Sequence, residues 1–407
     1  LALQNDKINT ANLKSFFPFF KHNPDLTYLD NAATTQICQP ALTAINEYYC
    51  RSHSNVHRSS HTTAKANTNQ FEQVRQKLAH WLNADSSKEI IWTKGATEAA
   101  NLLAYSLSNQ FSSGDEVITS ITEHHANFVT WQQMCIKLNL KLKIVRLTDD
   151  LKIDLTHLES LITPKTKVLA LAHVANATGV KQPIEEAISI AREINPETLC
   201  VIDGSQAVCH LNLDVKQIDA DFYFFSGHKM FAGTGIGVLY GKQIRLEQLN
   251  PFHFGGEMVN QVSVEATSFN QLPYKFEAGT PNIAAVFALG ATVDFLSEIQ
   301  TDTVRQRESQ LIDYLLHQLQ QVPNLSILAK HDLVGAVSFN ISNWHPSDVS
   351  EILSQMNIAL RVGKHCAMPL FNEINQDGSV RVSISLYNDK QDIDKLIAAL
   401  LDLENFL

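Results

Sequence analysis

Asp221-Phe-Tyr-Phe-Phe-Ser-Gly-His-Lys-Met230 is an apolar, aromatic run that ends in a polar turn. Phe222 to Phe225 suit a pleated, buried strand. Ser226, Gly227, His228 and Lys229 follow directly. A glycine-rich segment, Gly233-Thr-Gly-Ile-Gly237, then leads into a second short apolar strand, Val238 to Tyr240. A lysine at the exit of a buried strand, preceded by a hydroxyl and an imidazole, suits Schiff-base chemistry, because partial desolvation keeps the amine neutral and nucleophilic. Ser226 and His228 would then donate to an anionic group on whatever the lysine binds. A surface turn with a solvated lysine fits this stretch equally well.

Leu199-Cys-Val-Ile-Asp-Gly-Ser-Gln206 is another buried strand, and it ends in an acid. Ligands of open α/β sheets bind outside the carboxyl ends of the strands, so Asp203 and Lys229 would meet at one edge. A buried carboxylate needs a cationic partner. A protonated pyridine nitrogen is such a partner, and pyridoxal phosphate needs both a lysine and an acid of this kind. Gln206 can hydrogen-bond the ring's phenolic oxygen. A plain Asp203–Lys229 ion pair is the simpler alternative.

These strands, with further stretches, resemble the class V aminotransferase-like pyridoxal-phosphate enzymes, and among them the Suf/Csd-type cysteine desulfurases. That branch includes cysteine sulfinate desulfinases and selenocysteine lyases. The matching pieces are Tyr28-Leu-Asp-Asn-Ala-Ala33, Val201-Ile-Asp-Gly-Ser-Gln206, Ser226-Gly-His-Lys229, Glu277-Ala-Gly-Thr-Pro-Asn282, Arg361-Val-Gly-Lys-His-Cys-Ala-Met-Pro369 and Arg381-Val-Ser-Ile-Ser385, spread over nearly the whole chain. The alternation of strands and helices from residue 28 to about 240 points to a mainly parallel sheet covered on both faces. The resemblance implies an α/β protein of the PLP-dependent transferase fold (fold type I). Its large domain, residues 20–285, would hold a mainly parallel seven-stranded sheet. A smaller α+β domain would span 286–407, with segment 1–19 and its aromatic run Phe16-Phe-Pro-Phe-Phe20 docked on it.

Working outward, Ile90 to Thr93 reads as a strand, and Lys94-Gly-Ala-Thr-Glu98 opens a helix at Ala99 to Leu107. Glycine, a small residue, a hydroxyl and a helix start make an anion cradle of free N–H groups; an ordinary Thr N-cap is the alternative. The family has Thr where this chain has Ala96, which removes one side-chain donor and leaves the Ala96 N–H beside Thr97. Phe71 to Leu82 reads as an amphipathic helix, and Thr280-Pro281 as the N-cap and first residue of a long helix through Phe295. By resemblance, His124 rather than His125 stacks on the pyridine ring and shuttles protons, and Asn176 bonds cofactor and substrate carboxylate. The resemblance also implies that Thr280 reaches the phosphate of a neighbouring subunit. It implies too that Arg381 grips the α-carboxylate and that His57 and Arg58 line the entrance. Relatives carry Leu-Tyr-Gly-Pro-Thr where this chain has Met230-Phe-Ala-Gly-Thr234. Cys366 sits in a glycine-containing loop with Arg361, Lys364 and His365, cationic neighbours that favour a thiolate.

The 407 residues carry 32 Lys and Arg against 42 Asp and Glu, a net charge of −10 with no basic block, so neither nucleic acid nor an anionic membrane is favoured as a partner. No apolar run approaches about 20 residues, so no transmembrane helix is expected. The N-terminal residues lack the three parts of a signal peptide, so a cytoplasmic location is expected; residue 1 is not Met, which leaves its standing as a native start open. Six cysteines without a C-x-x-C pair are no disulfide framework. His53, His57 and His61 are four apart, but no Glu, Asp or Cys completes a set, so no metal is expected. Gly233 to Gly237 lacks the G-x-G-x-x-G spacing of an oxidoreductase and precedes a strand.

The implied activity is conversion of L-cysteine to L-alanine, with a persulfide on Cys366 for iron–sulfur or related sulfur assembly. Lys229 and His124 are the acid/base candidates. Cysteine sulfinate and selenocysteine are further substrates, a SufE-type protein the sulfur acceptor, and a homodimer the assembly. Another class V lyase, epimerase or aminotransferase is the rival that Cys366 argues against. A non-catalytic sulfur-transfer scaffold is the rival that Lys229, Asp203 and Arg381 argue against.

Overall fold

The computed structural model describes residues 10–299 and 302–403. Seven strands form its central sheet: β1 (Ile90–Thr93), β2 (Glu116–Ser120), β3 (Lys141–Val145), β4 (Thr166–Ala172), β5 (Leu199–Asp203), β6 (Phe222–Ser226) and β7 (Gly237–Gly241). They lie in the order β1-β7-β6-β5-β4-β2-β3. Only β7 runs against its neighbours; every other pair is parallel.

Successive side chains of a strand point to opposite faces, so a strand apolar at every position needs a layer on each side. The run in β6 meets that need. Phe222 and Phe224 join one core with Leu199 and Val201, while Tyr223 and Phe225 join the other with Cys200 and Ile202. Helices α1 (Thr62–Trp81), α2 (Ala96–Leu107), α3 (His125–Leu138), α4 (Ile184–Ile194) and α5 (Ile283–Ile299) supply the layers. α2 and α3 cover the Phe222 face; α1, α4 and α5 cover the Tyr223 face.

A second, antiparallel sheet consists of β8 (Leu325–Ile327), β9 (Ala336–Ile341), β10 (Arg361–Gly363) and β11 (Ser379–Ser383), in the order β8-β9-β11-β10. Helices α6 (Asp302–Leu319), α7 (Pro346–Gln355) and α8 (Lys390–Leu401) share its separate core through Leu315, Leu353 and Leu396. The two sheets meet at residues 177–180. There Val180 forms a bridge with Leu333, and Ser338 Oγ donates to the Ala177 carbonyl at 2.5 Å. Near the N-terminus, Phe17 packs edge-on against Phe231, Phe295 and Tyr387, and Lys14 pairs with Asp392 of α8 at 3.1 Å. Residues 1–9 of the segment expected to dock lie outside the described residues.

Three helix starts differ from the sequence reading. α1 begins at Thr62, where His61 Nδ1 accepts from the Ala64 N–H at 3.3 Å; the polar first two turns hid it from an apolar-stripe search. α2 begins at Ala96, so Thr97 lies inside the first turn and caps nothing. α5 begins at Ile283, with Asn282 Oδ1 accepting from Ala285 N–H, and Thr280-Pro281 stays in the loop. Among the described residues, no single helix is long and apolar enough to cross a membrane.

Candidate active site

β6, β5, β4 and β2 are adjacent in the sheet, and their carboxyl ends deliver Lys229, Asp203, Asn176 and His124 to one edge. Lys229 ends a tight 3-10 turn, Gly227–Lys229. That turn needs a glycine: a Cβ on Gly227 would lie 2.6 Å from Ile236 Cγ2. Burial lowers the Lys229 amine from 10.5 to about 8; Asp203 opposes this, and the guanidinium groups of Arg381 and Arg361 add to it. Asp203 is buried, accepts from the Ser205 N–H at 2.9 Å, and has its carboxyl pushed up by burial. A cationic partner at the remaining oxygen would relieve that cost.

His124 caps α3, its Nδ1 accepting from the Ala126 N–H at 3.0 Å. That bond places the ring proton on Nε2. Burial, and then the charge of Lys229, push this histidine down to about 3. A neutral imidazole suits stacking. As a proton carrier near neutral pH, Lys229 is the better matched of the two candidates. Behind His124 lies a buried Glu123, pushed up to about 8 by burial, with oxygens that accept from Ala172 N–H and Asn127 Nδ2.

The anion cradle is rearranged from expectation. Ala96 N–H is not free, because it donates to Ser226 Oγ at 2.8 Å. Ser226 keeps its own O–H to donate, and the N–H groups of Thr97 and Glu98, in the first turn of α2, have no carbonyl behind them. His228 Nδ1 lies 3.3 Å from Thr34 Oγ1, and burial, then Lys229, lower its ring to about 4. Gln206 is buried and donates to the Ala32 carbonyl at 2.8 Å, which leaves one amide hydrogen and its oxygen for a ligand. Thr280 is exposed and makes no hydrogen bond within the chain among the described residues.

Arg381 and Arg361 stand directly opposite each other on β11 and β10. Like charges so placed repel, and burial, with Arg361 adding to it, lowers the buried Arg381 to about 10 despite Asp30. Arg381 donates to the Asn176 carbonyl at 2.9 Å and to Asp30 at 3.4 Å. Its Nε, and Oδ1 of the adjoining Asn176, are buried without partners. Each such orphan costs about 1–3 kcal/mol, so their coincidence marks a place completed by a ligand. An anionic carboxylate matches the Arg381 Nε donor, Asn176 Oδ1 is left to accept from a ligand N–H or O–H, and pyridoxal phosphate fits across Lys229 and Asp203.

Cys366 lies beside that pair, and Arg361 Nη2 is 3.5 Å from its sulfur. The other two expected cations do not act on it. His365 is turned to Ser379, its ring pushed down to about 3 by burial and then by Arg381. Lys364 pairs with Asp377 at 3.4 Å. His57 and Arg58 stand apart from the cluster: His57 lies between Glu72 (2.9 Å) and Glu257 (3.3 Å), and Arg58 pairs with Glu257 at 2.6 Å. No hydrogen bond or ion pair among the described residues ties either to Lys229, Cys366 or Arg381. No group of His, Cys, Asp and Glu among the described residues is arranged to hold a metal ion.

Sequence reasoning missed Glu123, His125 and Asp30. The first had a visible signal, since Glu123, Asn127 and Trp131 recur every four residues and form one buried hydrogen-bonded ladder. Asp30 lies in a turn whose motif was quoted but whose acid was given no partner.

The class-V aminotransferase pattern matches residues 27–396. A probable cysteine desulfurase of Vibrio cholerae is 41% identical, over 97% of this chain and 98% of its own. A cysteine desulfurase of Serratia proteamaculans is 40% identical over 97% and 98%. Among solved structures, the Escherichia coli cysteine desulfurase CsdA, in an S-sulfonic acid form, matches with a TM-score of 0.92 and 35% identity, covering 99% of this chain and 100% of that one. The apo cysteine desulfurase of Thermococcus onnurineus NA1 also gives a TM-score of 0.92, at 32% identity over 97% and 98%. With the family pattern over residues 27–396 and full-length similarity to these enzymes, the chain belongs to the class-V aminotransferase family, among its cysteine desulfurases.

Proposed function

We propose that this protein is a pyridoxal-phosphate-dependent cysteine desulfurase that turns L-cysteine into L-alanine and keeps the sulfur as a persulfide on Cys366. One observation carries the reading: Arg361 faces Arg381 across β10 and β11 and also touches the Cys366 sulfur. A carboxylate grip and a nucleophilic thiol therefore share one cluster beside Lys229.

Bound pyridoxal phosphate supplies the electron sink that makes the substrate Cα–H acidic. Lys229 anchors it and carries the Cα proton, and Asp203 holds the proton on the ring nitrogen. His124 covers the ring face; Gln206 bonds the phenolic oxygen; Thr97, Ser226 and His228 donate to the phosphate beside the small Ala96. Arg381 and Asn176 orient the substrate carboxylate, with Arg361 next to them. The Cys366 thiolate then attacks the substrate sulfur. The S–S bond forms as the Cβ–S bond breaks, its electron pair stays on carbon, and protonation there completes alanine. A SufE-type acceptor takes the persulfide sulfur toward iron–sulfur assembly. Cysteine sulfinate and selenocysteine fit the same grip. His57 and Arg58 would meet a substrate only by leaving Glu257. No disulfide joins any of the six cysteines, all of which lie among the described residues; this suits a reducing compartment, and we assign the cytoplasm.

We also assign a homodimer with shared sites. Thr280 is exposed next to a hairpin, Val259–Val262 with Thr267–Phe269, whose Val262, Val264 and Phe269 are exposed. A cavity of about 570 Å³ between α2 and α3 runs from Thr97 and His124 past Tyr105, Val129 and Phe252. A second copy covering these apolar surfaces would bring its Thr280 toward the phosphate cradle. A fully active monomer in sedimentation at micromolar concentration would refute this.

The desulfurase reading is tested with Cys366→Ala. A thiol sulfur is a poor leaving group and must be taken by a nucleophile, whereas sulfinate leaves the carbanion unaided. The variant should lose alanine production from cysteine, by at least about 100-fold, and keep much of it from cysteine sulfinate, with reductant present. Full activity on cysteine would assign the nucleophile elsewhere; equal loss on both substrates would make Cys366 structural.

A further inference from the structure

We propose that His125 is a positioning residue that clamps the Cys366 loop, holding the peptide groups on either side of Ala367, the residue next to the thiol, to the start of α3. The inference rests on Cys366 being the sulfur nucleophile. His125 donates its backbone N–H to the Cys366 carbonyl at 2.8 Å, and its ring Nε2 accepts the Met368 N–H at 3.2 Å. One residue thus bonds the chain immediately before and after Ala367. The preceding residue, His124, lies at the cofactor edge, so ring cover and thiol loop take their position from one helix terminus.

The loop requires such a clamp. His365 and Cys366 have φ of 46° and 57°, consecutive residues in a region that side chains other than Asn and Asp rarely adopt. Left alone, such a pair relaxes to extended or right-handed backbone and turns the thiol away. Several contacts oppose that. Asn176 Nδ2 donates to the His365 carbonyl at 2.6 Å, His365 Nε2 bonds Ser379, and Ala367 is buried among Leu370 and Phe371. These fix the two flanks. The Met368 N–H, next to the exposed side of the loop, has only the His125 ring. Burial favours the neutral ring that this acceptor role demands. The backbone bond survives any substitution except proline, whereas the ring bond is specific to a side chain with an acceptor at that distance.

The test compares His125→Ala and His125→Gln in the holoenzyme, because a glutamine amide oxygen reaches about where Nε2 does. Amide hydrogen exchange is followed in the peptide spanning residues 364–371, with a β5 peptide as control. Persulfide formation on Cys366 is followed in a single turnover with L-cysteine, alongside the cofactor absorbance. Losing one hydrogen bond should speed exchange in the loop by about 3- to 10-fold and slow persulfide formation by a similar factor. The absorbance change on cysteine binding should keep its rate, and His125→Gln should restore both loop readouts. Wild-type values in His125→Ala, equal defects in both variants, or a matching loss of the cofactor absorbance change would each overturn the clamp. Should His125→Ala not fold, His125→Leu replaces it and is read the same way. Failure of the desulfurase reading shows separately, as sulfur release by Cys366→Ala, and leaves the exchange comparison decisive.

Discussion

Residue type set less of the chemistry than surroundings did. His124 was expected to shuttle protons, His228 to donate to an anion and His365 to add positive charge beside the thiol, yet burial keeps all three neutral. Lys229 moves the same way: the cost of a buried ammonium brings it to about 8. That value, reached although Asp203 opposes the shift, makes Lys229 the amine fit to form and exchange a covalent bond near neutral pH. Borohydride treatment of the holoenzyme should therefore fix the cofactor on a single peptide containing Lys229. Lys229→Ala should show no adduct and lose alanine production by several orders of magnitude, on the order of 10⁴-fold or more. A reduced adduct on any other lysine would displace this assignment.

At the scale of elements, the substrate side depends on how the two sheets touch. Gly179 has φ of +78°, and a Cβ there would sit 2.0 Å from the Ala336 carbonyl oxygen at the start of β9. Gly114 has a similar φ of +87° with nothing within 4 Å. The pair separates backbone strain from collision. Gly114→Ala should cost about 1 kcal/mol and leave turnover alone. Gly179→Ala should cost more than about 2 kcal/mol and raise KM for cysteine, because the sheets must part where Asn176 and Arg381 meet. Urea unfolding and steady-state kinetics on both variants check this, and equal effects would refute it. What was legible in the sequence follows the same division. The aromatic run of β6 and the acid ending β5 declared a two-sided parallel sheet, because strand period and burial are local properties. The bonds of His125, Asp30 and Ser226 were not legible, since each joins segments far apart in the chain. The start of α1 failed for a local reason, since its polar first turns carry no apolar stripe, and that of α5 because Thr280-Pro281 has the residue types of a helix start but stays in the loop.

Over the whole molecule, these buried groups fix how stability depends on pH. His124, His173 and His365 are lowered to about 3, and His228 to about 4, chiefly by burial. Unfolded, each takes up a proton near pH 6.5. Their contribution is therefore complete above pH 6.5 and is lost as pH falls toward the folded values. Glu123 acts in the opposite sense. Raised to about 8 from 4.5, it contributes fully below pH 4.5 and less as pH rises through 8. His210, buried but raised well above 6.5 by Cys209 and Glu308, acts in the same sense as Glu123, contributing fully below pH 6.5 and less as pH rises through its folded value. Between pH 6.5 and 5, these four imidazoles, with His125 in the same sense, outweigh the raised carboxyls of Glu123, Asp203 and Asp30, and the unfolded chain binds more protons. Stability should fall on acidification, by on the order of 1.4 kcal/mol per pH unit for each net proton once uptake is complete. Urea titrations at pH 7 and pH 5 should show an earlier midpoint at pH 5 with the same slope, since the surface exposed on unfolding is unchanged. His173 provides the internal control, because it lies under the sheet edge, bonded to Tyr223 at 3.0 Å, and no ligand role is assigned to it. His173→Gln should flatten the pH dependence by about one proton's worth. A midpoint that rises or stays level between pH 7 and pH 5 would mean that these imidazoles are not held neutral in the folded protein.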